Sequence, residues 1–147
     1  MKTSRLFLVF LVPIAGVILF GCGGGERYVS TTDFTPPQEV ARASLVTALT
    51  AWKNGLPPGR LEGTDPPVDV FDSDWRKGQK LDSFEVVSED LAAGAKRFNV
   101  RLRLKTPAAN RDVNYYVVGR HPIGVYSEEV YRRILNMEND PKKTARR

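Results

Sequence analysis

Phe98, Val100, Leu102 and Leu104 alternate with Asn99, Arg101, Arg103 and Lys105. A period of two held over that length fits a strand with one face buried and the other in water. Such a strand needs a covering layer, and the chain carries one upstream. Val40, Ala41, Leu45, Ala48, Leu49 and Trp52 recur at helical spacing, with Arg42 and Lys53 off that stripe. Thr35-Pro36-Pro37-Gln38 predicts the helix start, with Thr35 as the cap, Pro36 at the first helical position and Gln38 completing a capping box. Asn54-Gly55 ends the helix, and Pro57-Pro58 forbids its continuation.

Further short elements follow. Leu56 to Pro67 reads as an irregular connection, Val68 to Phe71 as a short strand, and Asp72-Ser73-Asp74-Trp75 with Lys77-Gly78 as a turn region. Leu81 to Glu89 alternates and should pair antiparallel with Arg97 to Lys105 about a turn at Ala92-Ala93-Gly94. One register suits both faces: Phe84 opposite Leu102 and Val86 opposite Val100 inside, Glu85 opposite Arg101 and Glu89 opposite Arg97 outside. After a turn at Pro107 to Asn110, Val113 to Val118 forms a strand apolar on both faces. If Tyr116 and Val118 face the helix, Tyr115 and Val117 form an exposed patch beside Arg101 and Arg103, a candidate pocket or interface. Ile123 and Val125 add a last strand, and Ser127 caps a short helix with Val130, Ile134 and Met137 on one face. The fold class is α+β, one long N-terminal helix on a curved antiparallel sheet with a short C-terminal helix. Leu45, Leu49 and Trp52 should pack on Phe98, Val100 and Leu102.

The N-terminus carries a different signal. Lys2 and Arg5 precede an apolar run from Leu6 to Phe20, and Leu19-Phe20-Gly21-Cys22 closes it. The run is roughly 15 residues, short of the ~20 that span a bilayer. This resembles a bacterial lipoprotein signal peptide, in which the cysteine is lipidated and becomes the new N-terminus. Phe20 departs from the smaller residue usual at its position. The resemblance implies a signal at 1–21, lipid on Cys22, and a cell-envelope protein held to a membrane by that lipid. Gly23, rather than Asp, after the cysteine resembles the outer-membrane sorting pattern. Residues 22–34 read as a flexible tether, 35–137 as one domain and 138–147 as a basic disordered tail. Cys22 is the only cysteine, so the domain has no internal disulfide and its core must hold it together.

The formal charge of +5 misleads. Lys2 and Arg5 leave with the signal, and Lys142, Lys143, Arg146 and Arg147 sit in the tail; removing these six from the 22 basic residues leaves 16 against 17 acidic ones. A near-neutral body at that location argues against nucleic acid as a partner.

The order of one long helix and then a strand meander resembles the cystatin-like cone shared by nuclear transport factor 2-like and ketosteroid isomerase-like families. More narrowly, Ala51-Trp52-Lys53-Asn54-Gly55 with Pro57-Pro58, then Asp72-Ser73-Asp74-Trp75, then Tyr116-Val117-Val118-Gly119-Arg120 with Pro122, resembles an uncharacterised family of small bacterial secreted proteins. The cone hosts enzymes, binding domains and oligomerisation modules, so the resemblance implies no one activity.

Chemistry-bearing residues are sparse. His121 is the sole histidine and sits in a turn. Asp69, Asp72 and Asp74 cluster, but the further ligands of a calcium loop are missing, and turn capping suits Asp72 and Asp74. Ketosteroid isomerase-like enzymes set a carboxylate and a tyrosine in the cone; Asp72 with Tyr115, Tyr116 or Tyr126 has the residue types without the family's pattern. Trp52 belongs to the core stripe. Trp75 is either a core plug or part of a binding surface. The sequence leads to a non-enzymatic domain that binds a protein partner or small ligand, or forms a homodimer, with no cofactor, metal or catalytic residue assigned. A cavity enzyme of the isomerase or hydrolase type is the alternative, and a buried carboxylate of raised pKa in an open cavity would favour it.

Overall fold

The computed structural model describes residues 34–92 and 94–138. The expected signal at 1–21, Cys22 and most of the expected tether, Ala93, the expected tail from 139 and the side chains of Met137 and Glu138 lie outside the described residues.

Helix α1 (Gln38–Lys53) buries Ala41, Leu45, Ala48, Leu49 and Trp52, the stripe expected. It ends at Asn54, with Gly55 beyond it at a positive φ of 79°. Its start differs from expectation. The helix begins at Gln38 with no side-chain cap, and the Thr35 hydroxyl instead donates to the Gly94 carbonyl at 2.6 Å. A tertiary partner has taken the group that a local cap would have used.

Strands β1 (Arg60–Leu61), β2 (Val68–Phe71), β3 (Lys80–Ala92), β4 (Ala95–Thr106), β5 (Ala108–Val118) and β6 (Ile123–Ser127) form one sheet in the order β1-β2-β6-β5-β4-β3. Short helix α2 (Ser73–Arg76) follows β2, and α3 (Glu128–Glu138) closes the described chain. The sheet is not a pure meander. β2 lies parallel to β6, with Val68 opposite Ile123 and Val70 opposite Val125, while every other pairing is antiparallel. Both strands present their valines and isoleucine to the α1 side, so this pairing extends the same buried face.

The β3–β4 register holds at its centre: Phe84 faces Leu102, Glu85 faces Arg101 and Val86 faces Val100. It then slips. An irregularity between Val86 and Ser88 sets Asp90, not Glu89, opposite Arg97, and those two form an ion pair. Glu89 pairs instead with Arg42 of α1 at 2.9 Å. The extra residue gives each acid its own arginine.

β5 is where expectation fails. It runs from Ala108, leaving only a tight turn at Pro107, and pairing with β4 sets Tyr115 opposite Phe98 and Val113 opposite Val100. Tyr115 and Val117 therefore point inward and are buried, and no exposed patch of these two lies beside Arg101 and Arg103. A one-residue change of phase exchanges the two faces completely, and a strand apolar on both faces does not reveal its phase. Tyr116 takes the outer face, where its ring stacks on Tyr131 of α3 at 4.3 Å. Tyr131 thus docks α3, while Ile134 stays exposed. Ser127 does not cap that helix; its hydroxyl is buried without a partner among the described residues.

Trp75 is a core residue. Its ring stacks on Trp52 at 5.6 Å and its indole N–H donates to the Leu56 carbonyl at 2.9 Å. Truncating Leu49 to Ala should cost ~2–5 kcal/mol in urea denaturation, because the stripe covers the sheet. A loss under ~0.5 kcal/mol, the size usual at surface positions, would show that it does not.

Candidate functional site

Asp72 ends β2 and starts α2. Its Oδ1 accepts the Trp75 backbone N–H at 2.8 Å, capping α2, and its Oδ2 accepts the Tyr115 hydroxyl at 2.7 Å. Burial pushes the Asp72 carboxyl above its ordinary value, and the repulsion of Asp74 adds to that. The hydrogen bonds from Trp75 and Tyr115 pull the other way without winning. Burial, then the neighbouring Asp72, pushes the Tyr115 phenol well above its own, so it remains a neutral donor. Tyr115 reaches Asp72 only because β5 has the inward phase described above.

Beside this pair opens a groove of about 1030 Å³ between α2 and α3. Ser73, Asp74 and Lys77 line one wall; Glu128, Glu129, Arg132, Arg133 and Asn136 line the other. Leu102, Val113 and Ser127 contribute apolar or small surface, Arg111 and Asp112 charge, and Asp72 one edge. Many of the charges are paired: Arg111 with Asp74 at 2.7 Å, Arg132 with Glu128 at 2.5 Å and Arg133 with Glu129 at 2.7 Å. Exposed pairs of this kind contribute only ~0–1 kcal/mol, so a charged ligand can displace one partner at little cost.

The outer face carries an aromatic cluster. Phe71 stacks on Tyr126 at 4.7 Å, and Tyr131 bridges Tyr126 to Tyr116. Gly124 lies directly beneath it: a Cβ there would come 2.4 Å from the Tyr126 ring, so the stacked ring would have to swing away. These outer-face rings are not the exposed patch expected of Tyr115 and Val117: Tyr116 is buried beneath Tyr131, and Phe71 and Tyr126 are half-buried.

The acidic cluster is dispersed: Asp69 pairs with Arg60 at 2.8 Å, Asp74 with Arg111, and Asp72 is buried. Among the described residues no group of three or more His, Cys, Asp or Glu side chains is placed to hold a metal ion. Arg101 lies exposed between Glu85 at 3.4 Å and Asp112 at 3.2 Å, and with Arg103, Glu85 and Asn110 it lines a hollow of about 260 Å³. His121 is exposed in the β5–β6 turn. The groove itself was missed from sequence. Its one local signal is the acid–base spacing of Glu128/Arg132 and Glu129/Arg133, which marks a helix face without showing what it faces.

No family model matches the chain, no curated protein matches it, and no solved structure does. Among the described residues no helix is long and apolar enough to cross a membrane.

The raised carboxyl of Asp72 sets a sign for stability against pH. The stabilisation that goes with its protonated form is complete below the unfolded-state value and lost as pH rises through the higher folded-state value. Asp72→Asn keeps a neutral group there, so wild type should lose stability relative to this variant as pH rises from the acid range. Parallel urea titrations measure it; a difference running the other way would contradict the burial argument.

Proposed function

We propose that the chain is a lipid-anchored cell-envelope protein whose domain binds, without catalysis, a partner or ligand bearing both charge signs in the groove between α2 and α3. The groove carries this reading: it is open, walled by both signs of charge, and its ion pairs are cheap to exchange. The anchor rests on the Lys2/Arg5 start, the short apolar run and Leu19-Phe20-Gly21-Cys22. In this reading the domain belongs with the cystatin-like cones and with the small bacterial secreted proteins whose motifs it resembles.

The Asp72–Tyr115 pair favours a second reading, a cavity enzyme of the isomerase or hydrolase type. A buried carboxyl of raised pKa at the edge of a groove is a form that acid–base catalysis uses. Both Asp72 oxygens are already engaged inside the protein, which weighs toward a structural role.

Two measurements test the proposal. Cells fed labelled palmitate should label the wild type and not Cys22→Ser; an unlabelled wild type would refute the anchor. A photo-reactive residue at Asn136 should give a discrete adduct in cells that Lys77→Glu with Arg132→Glu removes. Adducts from the Tyr131 side alone would move the binding surface to the outer aromatic face.

A further inference from the structure

We propose that the end of the domain carrying Phe34 and Leu91 is a docking face for an anionic lipid surface, which holds the groove end away from the membrane. This rests on the lipid-anchor reading and adds an orientation to it.

The chain enters the domain at one end of the sheet and is fastened there. The Gly119 N–H donates to the Phe34 carbonyl at 2.7 Å, Arg120 Nε donates to the Thr35 carbonyl at 3.4 Å, and the Thr35 hydroxyl reaches Gly94. These contacts tie Phe34 and Thr35 to both the β3–β4 and β5–β6 turns. Gly119 is needed for this, with φ at 84° and room for a Cβ denied by the Pro122 carbonyl oxygen at 2.6 Å.

The same end holds exposed apolar side chains. Phe34 is 60% and Leu91 61% exposed, with the rings of Pro37 and Pro122 also exposed. Half-buried Lys96, opposite Leu91 in the sheet, and exposed Arg120 have no carboxylate partner among the described residues, and exposed His121 adds an imidazole donor. Nearby Arg42 and Arg97 are neutralised by Glu89 and Asp90, and Glu39 in the first turn of α1 is an opposing acid. The balance is mildly basic around an apolar centre, the combination that enters an interface and meets anionic headgroups. Cys22 lies twelve residues before Phe34, a reach of at most ~43 Å of extended chain, so the anchor delivers this end to the bilayer first.

The other end supplies the contrast. β2 and β6 run side by side from the anchored end towards α2 and α3, so the groove opens at the far end. Leu56 is also exposed, at 53%, but it follows the C-terminus of α1, a 16-residue helix about 24 Å long. It is an internal control of matching chemistry.

The test uses an environment-sensitive dye on Leu91→Cys or Leu56→Cys. One arm is the acylated protein in phosphatidylethanolamine–phosphatidylglycerol vesicles, where lipid blocks Cys22. The other is the Cys22→Ser chain from residue 22 onward, held on the same vesicles by an N-terminal histidine tag and a nickel-chelating lipid. The dye at 91 should shift to the blue and be quenched by spin-labelled lipid in both arms. The dye at 56 should do neither, and Lys96→Glu with Arg120→Glu should diminish the shift at 91. An unshifted dye at 91 in the tethered arm, an equal shift at 56, or a shift at 91 that needs no vesicles and grows with protein concentration (a second copy as occupant) would overturn the proposal. A Cys22 peptide without acyl mass would overturn the anchor reading alone, because the tethered arm still decides the face.

Discussion

A phenol and a carboxyl group leave water at low cost only when they meet each other, and Tyr115 and Asp72 meet at 2.7 Å in the interior. That contact requires β5 to present its odd-numbered residues to α1. Val113 and Val117 then join the buried face, while Tyr116 passes to the outer face and stacks on Tyr131. The position of α3, and so one wall of the groove, follows from the same choice of phase. On its other side Asp72 caps α2 and thereby seats Trp75 against Trp52. One hydrogen-bonded pair thus connects the β2–α2 corner, the middle of the sheet and the helix layer.

What was legible in the sequence had a clear period. The α1 stripe and the alternation of β4 each specify a face, and the Glu85–Arg101 pairing follows once both faces must be satisfied. What was not legible depended on partners distant in the chain. In the run from Val113 to Val118 only Asn114 separates the two parities, a weak local signal, and the choice between Tyr115 and Tyr116 as partner of Asp72 acts across 43 residues. The parallel pairing of β2 with β6 was hidden for the same reason, since neither four nor five residues of strand announce a neighbour. The slip after Val86 was also invisible: Glu89 and Asp90 are both acids, and either could have faced Arg97.

The site was less legible than the fold. A groove is a relation between elements, and this one joins α2, the open flank of β5 and α3, which are far apart in sequence. Asp72 was read as a turn cap, which it is; its second oxygen and its burial emerge only when Tyr115 arrives. Trp75 shows the converse. Its polar neighbours left core and surface equally open, and stacking on Trp52 with a bond from its N–H to the Leu56 carbonyl satisfies both halves of the indole within the core.

The phase of β5 therefore supports both the interior and the groove, and a double-mutant cycle on Asp72→Ala and Tyr115→Phe tests it directly. Each single change removes the same buried hydrogen bond, so the pair should cost less than the sum of the singles, with a coupling of ~1 kcal/mol or more in equilibrium unfolding. Additive losses, with a coupling near zero, would mean that the two groups do not meet and that β5 presents its other face.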